Sequence, residues 1–216
     1  MPEKPALVIA CGALAREITT LIDINQWSHL RVQCVPAKIH NTPEKIPQAV
    51  RTLIHKARGK YSKIYIGFAD CGTGGLLDTV LSEEQVERLP GAHCYEFFAG
   101  SDKFAEMADE ELGTFYLTDF LARHFDRIII RELGIDKNPE LRDMYFGNYK
   151  RLIYLAQTDN PELTQMAKDA AAKLNLEYEY RRTGYGDLER GLQQFNESTI
   201  QWQKPGQWQR AEQWQN

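Results

Sequence analysis

Three cysteines stand where an apolar run or a Pro-Gly turn gives way to glycine: Cys11 in "IACGAL", Cys71 in "FADCGTGG" and Cys94 in "PGAHCYEFFAG". Thiolates are soft ligands that suit zinc or an iron-sulfur cluster, and three protein ligands leave one coordination position open to a substrate. Cys11, Cys71 and Cys94 are therefore the expected metal ligands, with His93 and Glu96 beside them. No C-x-x-C pair supports the set, so it depends on the fold bringing distant loops together. The turn at 70–75 offers a second chemistry. Gly72, Gly74 and Gly75 with Thr73 can present successive backbone N–H groups to an anion, Asp70 can cap the turn or hold a ligand, and Gly12 follows the first strand on the same edge. Neither "DCGTGG" nor "CGALAR" is a Walker or dinucleotide fingerprint, which leaves a phosphate or carboxylate on a small molecule as the anion. A third chemistry makes Cys71 or Cys94 a nucleophile, its thiolate favoured by a helix N-terminus or by His93 or His124. The catalytic candidates are thus Cys71, His93, Glu96 and His124. A metal site predicts that three cysteines matter about equally, a nucleophile only one.

The elements that must position these residues alternate between two periods. "ALVIAC" (6–11) has strand length, and Leu14, Ile18, Leu21 and Ile22 share a helical face over 14–24. "LRVQCVP" (30–36) is a second strand whose loop carries His40 and Asn41, and 42–58 is a helix with Thr42 as cap and Pro43 in its first turn. A third strand over 63–70 is followed by a short helix near 76–87. Helices are expected over 101–112, 115–133 and 138–150, then a strand at 151–157, a helix at 160–175 and a strand at 176–181. Strands alternating with helices predict an α/β fold: a Rossmann-like, doubly wound, mainly parallel sheet with a helical insertion or lid. In such sheets ligands bind outside the carboxyl ends of the strands. Cys34, inside its strand, reads as a small buried apolar residue. Arg181, Arg182 and Tyr185 at the last strand end can orient an anionic group, and Asp119 with Arg123 has the spacing of a solvated ion pair.

A chain of 216 residues, 43% of them hydrophobic, supports one substantial core, so a single α/β domain is expected over 1–195. The formal net charge of -4 and the absence of a basic block argue against nucleic-acid binding. No apolar run near the N-terminus approaches the about 18 residues that span a bilayer, so no membrane role and a cytoplasmic location are expected. The segment 196–216 repeats Gln-Trp pairs at Trp202, Trp208 and Trp214 and reads as an appendage that docks on a groove, a second subunit or another protein.

The blocks "CGALAREI", "DCGTGG", "PGAHCYEFFAG", "GTFYLTDFLARHFD" and "MYFGNY", in that order, resemble the family catalogued as domain of unknown function 1638 over about residues 6–192. The resemblance implies a companion of corrinoid methyltransferase systems, with a corrinoid as further cofactor and a corrinoid protein as partner; a homo-oligomer is the other partner expected. From the residues themselves, three functions stay open. The first is a cysteine-ligated metal or iron-sulfur protein acting on a small anionic molecule, the second a non-catalytic handler of metal or cofactor, and the third an enzyme with a cysteine nucleophile.

Overall fold

The two periodicities resolve into two parallel sheets in a computed structural model, which describes residues 4–197. β1 (Ala6–Cys11) runs through a short 3-10 turn into α1 (Ala15–Ile24), and β2 (Leu30–Val35) follows. Two further 3-10 turns, Ala37–Asn41 and Pro43–Lys45, lead to α2 (Ile46–Ala57), β3 (Ile64–Gly67), α3 (Leu76–Glu84) and β4 (Glu87–Arg88). These strands lie in the order β2-β1-β3-β4, every neighbour parallel. β1 is buried along its whole length, which is why its apolar run is unbroken rather than alternating. β2 is an edge strand, and Cys34 on it is exposed, contrary to the expectation of a buried apolar role. The neighbouring protein still desolvates that thiol enough to push its pKa up. From β1 the chain moves to β2 on one side and later returns to β3 on the other. The β1–β3 seam is therefore a switch point, where the carboxyl ends of an open sheet leave a crevice.

The second sheet is built from later residues. After α4 (Glu96–Ala99) and α5 (Ser101–Glu110) come β5 (Thr114–Thr118), α6 (Asp119–Phe125) with a π-helical continuation at Asp126–Arg131, and α7 (Leu141–Phe146). β6 (Arg151–Ala156), α8 (Pro161–Leu174), β7 (Glu177–Arg182) and α9 (Gly186–Glu197) complete it, with the strands parallel in the order β5-β6-β7. The continuous helix expected over 115–133 is thus a strand followed by a helix. The aromatic and β-branched run "TFYLT" fits a pleated surface better than a helix, and Thr118 then caps α6 by accepting from the Leu121 N–H. β6 shows the period of two: Leu152, Tyr154 and Ala156 face one core with α6 and α8, while Ile153 and Leu155 face Met107 of α5. The helices expected as an insertion or lid therefore cover the two faces of this sheet.

Within the α/β stretch expected over 1–195, the described chain divides into two compact units. One comprises residues 4–92 with 189–197, the other His93–Leu188. Both sheets are parallel throughout, as a Rossmann-like α/β fold requires, but the strand ends do not all share one edge. Among the described residues no helix is long and apolar enough to cross a membrane. The Gln/Trp-rich segment lies outside the described residues beyond Glu197.

One buried carboxylate holds the strand ends of the second sheet together. Asp119 is 2% exposed and accepts from the Tyr154 hydroxyl at 2.7 Å, the Gln157 N–H at 3.0 Å, the Thr158 N–H at 3.1 Å and the Thr158 hydroxyl at 2.6 Å. The solvated ion pair expected with Arg123 is not formed, because the carboxylate turns inward to satisfy donors that water cannot reach. Burial, and then the hydrogen bond to Asp119, hold the Tyr154 phenol well above the usual tyrosine range. Replacing Asp119 by Ala strands these donors and is expected to lower stability by on the order of 3 kcal/mol in urea unfolding. A loss below about 1 kcal/mol, the mean worth of one neutral hydrogen bond, would show that the network is not a structural tie.

Candidate metal centre

Cys11 is the last residue of β1 and is fully buried. Its Sγ accepts the Ala13 N–H at 3.3 Å, so the thiol caps the 3-10 turn Gly12–Leu14 that begins where the sheet ends. Gly12 is required for a steric reason. A Cβ there would stand 3.2 Å from both the Val35 carbonyl oxygen and the Ala37 nitrogen, closer than most real contacts allow. Without it, the loop leaving β2 packs directly against the end of β1.

That loop brings His40. Its ring nitrogens lie 4.0 Å from the Cys11 Sγ, and its ring stacks on the buried Phe68 with centroids 6.3 Å apart. Nδ1 is 2.7 Å from the Ala37 carbonyl oxygen. A carbonyl only accepts, so Nδ1 carries the proton and Nε2 keeps its lone pair, the tautomer of most metal-binding imidazoles.

Cys94 arrives by a short tether. Beyond β3 the Asp70 N–H donates to the Gly91 carbonyl at 3.0 Å and the Cys71 N–H to the Ala92 carbonyl at 2.9 Å, and Cys94 is two residues further along the chain. The ligand atoms of Cys11, His40 and Cys94 all lie within 4.8 Å of one another, and the three residues could hold a metal ion. Two of the three expected thiols are therefore in the group, and His40 stands in it where Cys71 was expected. Cys71 instead takes a left-handed conformation, φ +52°, within the turn. The sequence signal for His40 is its place in the loop that follows the second strand.

The glycine turn satisfies itself. The Asp70 carboxylate accepts the Thr73 hydroxyl at 2.6 Å, the Gly75 N–H at 2.9 Å and the Gly74 N–H at 3.1 Å. The donors expected to receive an external anion are thus engaged by an internal one. Gly74 and Gly75 have φ of +60° and +83°, which only glycine adopts without strain, and these angles aim both amides back at Asp70. Desolvation opposes ionisation of Asp70, but the bonds from Thr73, Gly75 and Gly74 and the charge of Arg88 outweigh it and hold the pKa below the usual aspartate range.

The remaining expected residues are His93, Glu96, Tyr185 and His124. His93 is exposed and stacks on Tyr95, with centroids 4.9 Å apart, and Glu96 opens α4 with its N–H bonded to the His93 carbonyl. Tyr185 ends the turn after β7, its carbonyl accepting the Leu188 N–H. His124 lies on α6, edge-on to Phe120. The structure brings none of the four into the ligand group.

A Rossmann-like α/β protein with two thiols and an imidazole converging at a strand end is the class that fold and site define. The family model described as Protein of unknown function (DUF1638) matches residues 34–192, and the chain belongs to that family. The match begins at Cys34, so β1 and Cys11 precede it. No curated protein and no solved structure matches the chain.

The self-satisfied turn has a pH signature. A carboxyl whose folded pKa is depressed contributes stability that is complete above its unfolded pKa and is lost as pH falls through the folded value. Asp70→Ala is expected to cost about 2 kcal/mol at neutral pH, from three hydrogen bonds to a charged acceptor, and the gap to wild type should narrow below about pH 4. Urea midpoints measured across pH read both effects. A gap that stays constant into acid would mean that the Asp70 charge does not hold the turn.

Proposed function

We propose that this protein binds a zinc ion through Cys11, His40 and Cys94 and presents an open fourth position to a small anionic molecule. The observation that carries the reading is the convergence of the three ligand atoms within 4.8 Å. That is slightly wider than the about 3.8 Å separating two sulfurs on a tetrahedral zinc, so modest side-chain movement closes the set. Two thiolates and one imidazole are a mixed donor set that zinc accepts, whereas iron-sulfur clusters ask as a rule for four cysteines. This favours zinc over the cluster. Both thiols ionise on binding, so affinity rises with pH as protons cease to compete.

An open position serves a reaction or the transfer of a metal equally well, and the accessory reading shares the same site. The nucleophile reading also has a specific observation behind it: an imidazole 4.0 Å from the Cys11 sulfur and the Ala13 N–H donating to it. The complete burial of Cys11 speaks against attack on a substrate, and a bound ion needs no such access. A corrinoid is the ligand that the family resemblance adds. Its visible spectrum reports binding directly, and an unchanged spectrum on mixing with metal-loaded protein removes the corrinoid while leaving the metal site standing.

Metal content of the protein purified without chelator, with zinc affinity by competition against a chromophoric chelator, tests the site. One zinc per chain is expected, with Cys11→Ser, His40→Gln and Cys94→Ser each weakening it by at least about tenfold and Cys71→Ser leaving it unchanged. Zinc at a hundredfold excess over Kd should also stabilise the wild type by about 2.7 kcal/mol. A folded wild type that takes up no zinc sinks the proposal, and rapid alkylation of Cys11 in that metal-free protein would turn the reading to a nucleophile. Equal loss in Cys71→Ser would reassign the ligands.

A further inference from the structure

The second unit carries a groove between α6, with its π-helical continuation, and α8. Arg123, His124, Arg127 and Arg131 line it from the first element, Asp169 and Lys173 from the second, and its volume is about 370 Å³, within the range of small-molecule sites. Its cations outnumber its carboxylates, and both carboxylates are engaged. Asp126 accepts from Lys173 at 2.5 Å, and Asp169 accepts from Gln165 at 2.9 Å. Among the described residues none of Arg123, Arg127 and Arg131 forms an ion pair. Asp119 stands one turn before Arg123, but its carboxylate is withdrawn to Tyr154, Gln157 and Thr158.

Such an arrangement is unfavourable on its own. Like charges four apart on a helix repel by a few tenths of a kcal/mol per pair, and here three arginines follow one another at that spacing. The chain as a whole is acidic, with a formal net charge of -4, so the cluster does not follow from a basic composition. The π-helical turn at Asp126–Arg131 includes Arg127 and Arg131, and such turns recur at functional sites. We infer that the groove binds a small phosphorylated molecule, its phosphate oxygens held by the planar forks of Arg123, Arg127 and Arg131. Guanidinium groups make paired hydrogen bonds to phosphate, and three of them match the charge of a diphosphate.

His124 reports the field inside the groove. Burial, and then the charges of Arg127 and Arg123, hold its pKa below the usual imidazole range. Arg123 and Arg127 face it from its own helix, with Asp126 beside them, and α8 adds Asp169 and Lys173. A bound anion offsets the arginine charges, raises the His124 pKa, and by linkage binds more tightly as pH falls through that range. The site lies wholly within the second unit and uses no thiol, so it stands or falls apart from the metal reading.

Inorganic pyrophosphate titrated calorimetrically into the full chain at low salt tests it. One site of submillimolar Kd is expected, and the Arg127→Gln, Arg131→Gln double variant should weaken it at least tenfold, while Lys56→Gln in the first unit leaves it unchanged. Proton NMR should show the His124 pKa rising with pyrophosphate present. No binding at millimolar pyrophosphate, undiminished affinity in the double variant, or an unmoved His124 pKa would overturn the inference. Tighter binding to anionic phosphatidylglycerol vesicles or to a single-stranded RNA than to pyrophosphate would equally replace the small ligand with a surface or a polymer.

Discussion

The carboxylate of Asp70 determines how the first sheet ends. Left to itself, a turn with left-handed residues at Cys71, Gly72, Gly74 and Gly75 would point several amides at a common centre with nothing to receive them. Asp70 sits at that centre and accepts three of the available donors. The turn held in this way keeps the backbone of Asp70 and Cys71 in position to bond the Gly91 and Ala92 carbonyls. Those two bonds fix the segment from which Cys94 follows. A side chain outside the candidate ligand group thus governs the placement of the segment that leads to Cys94.

Cys11 and His40 depend on packing rather than charge. Cys11 is placed because β1 is central and ends where the connections diverge, the position at which an open parallel sheet leaves backbone groups and side chains facing a crevice. His40 is placed because Gly12 lets the loop after β2 approach to within contact of β1, and because Phe68 and the Ala37 carbonyl hold the ring from two sides. Each of the three residues therefore comes from a different stretch of chain, and the protein itself sets the orientation of the imidazole. A histidine held in this way has little rotational freedom left.

Much of this was legible in the residues. The apolar run of β1, the amphipathic faces of α1 and α2 and the strand–helix alternation at 151–182 carry the fold because hydrophobic period reports which faces are buried. Cys11 stood out as a cysteine before glycine at the end of an apolar run, and Cys94 as a cysteine shortly after a Pro-Gly turn. His40 was harder to see. It lies one turn into a 3-10 segment, and only the steric gap at Gly12 makes it a neighbour of Cys11. The reading of "DCGTGG" as a cradle for an outside anion identified the geometry of the amides correctly, but no pattern in the sequence says that the aspartate preceding them folds back to fill it. β5 was hidden for another reason: Phe115, Tyr116 and Leu117 run on into α6 without a break, and the switch of period at Thr118 is visible only through its capping bond. Cys34 was misjudged because a sequence does not say which strand lies at an edge.

Asp70 and Asp119 stand at comparable places, each just past the carboxyl end of a strand, and each carboxylate accepts from backbone amides and a threonine hydroxyl. What each leaves behind differs in charge. At the first turn the Asp70 carboxylate takes up the Thr73 hydroxyl and the Gly74 and Gly75 amides, and the side chains that meet at the end of β1 are the Cys11 thiol and the His40 imidazole, which are donors of electron pairs. A cation suits them. In the second unit the carboxylate is drawn inside, away from the arginine one turn further along α6, so positive charge accumulates in the groove against α8 beyond what Asp126 and Asp169 match. An anion suits that. Two carboxylates of the same kind thus differ in effect: one neutralises the donors of a turn, and the other turns away from the arginine that follows it on the helix.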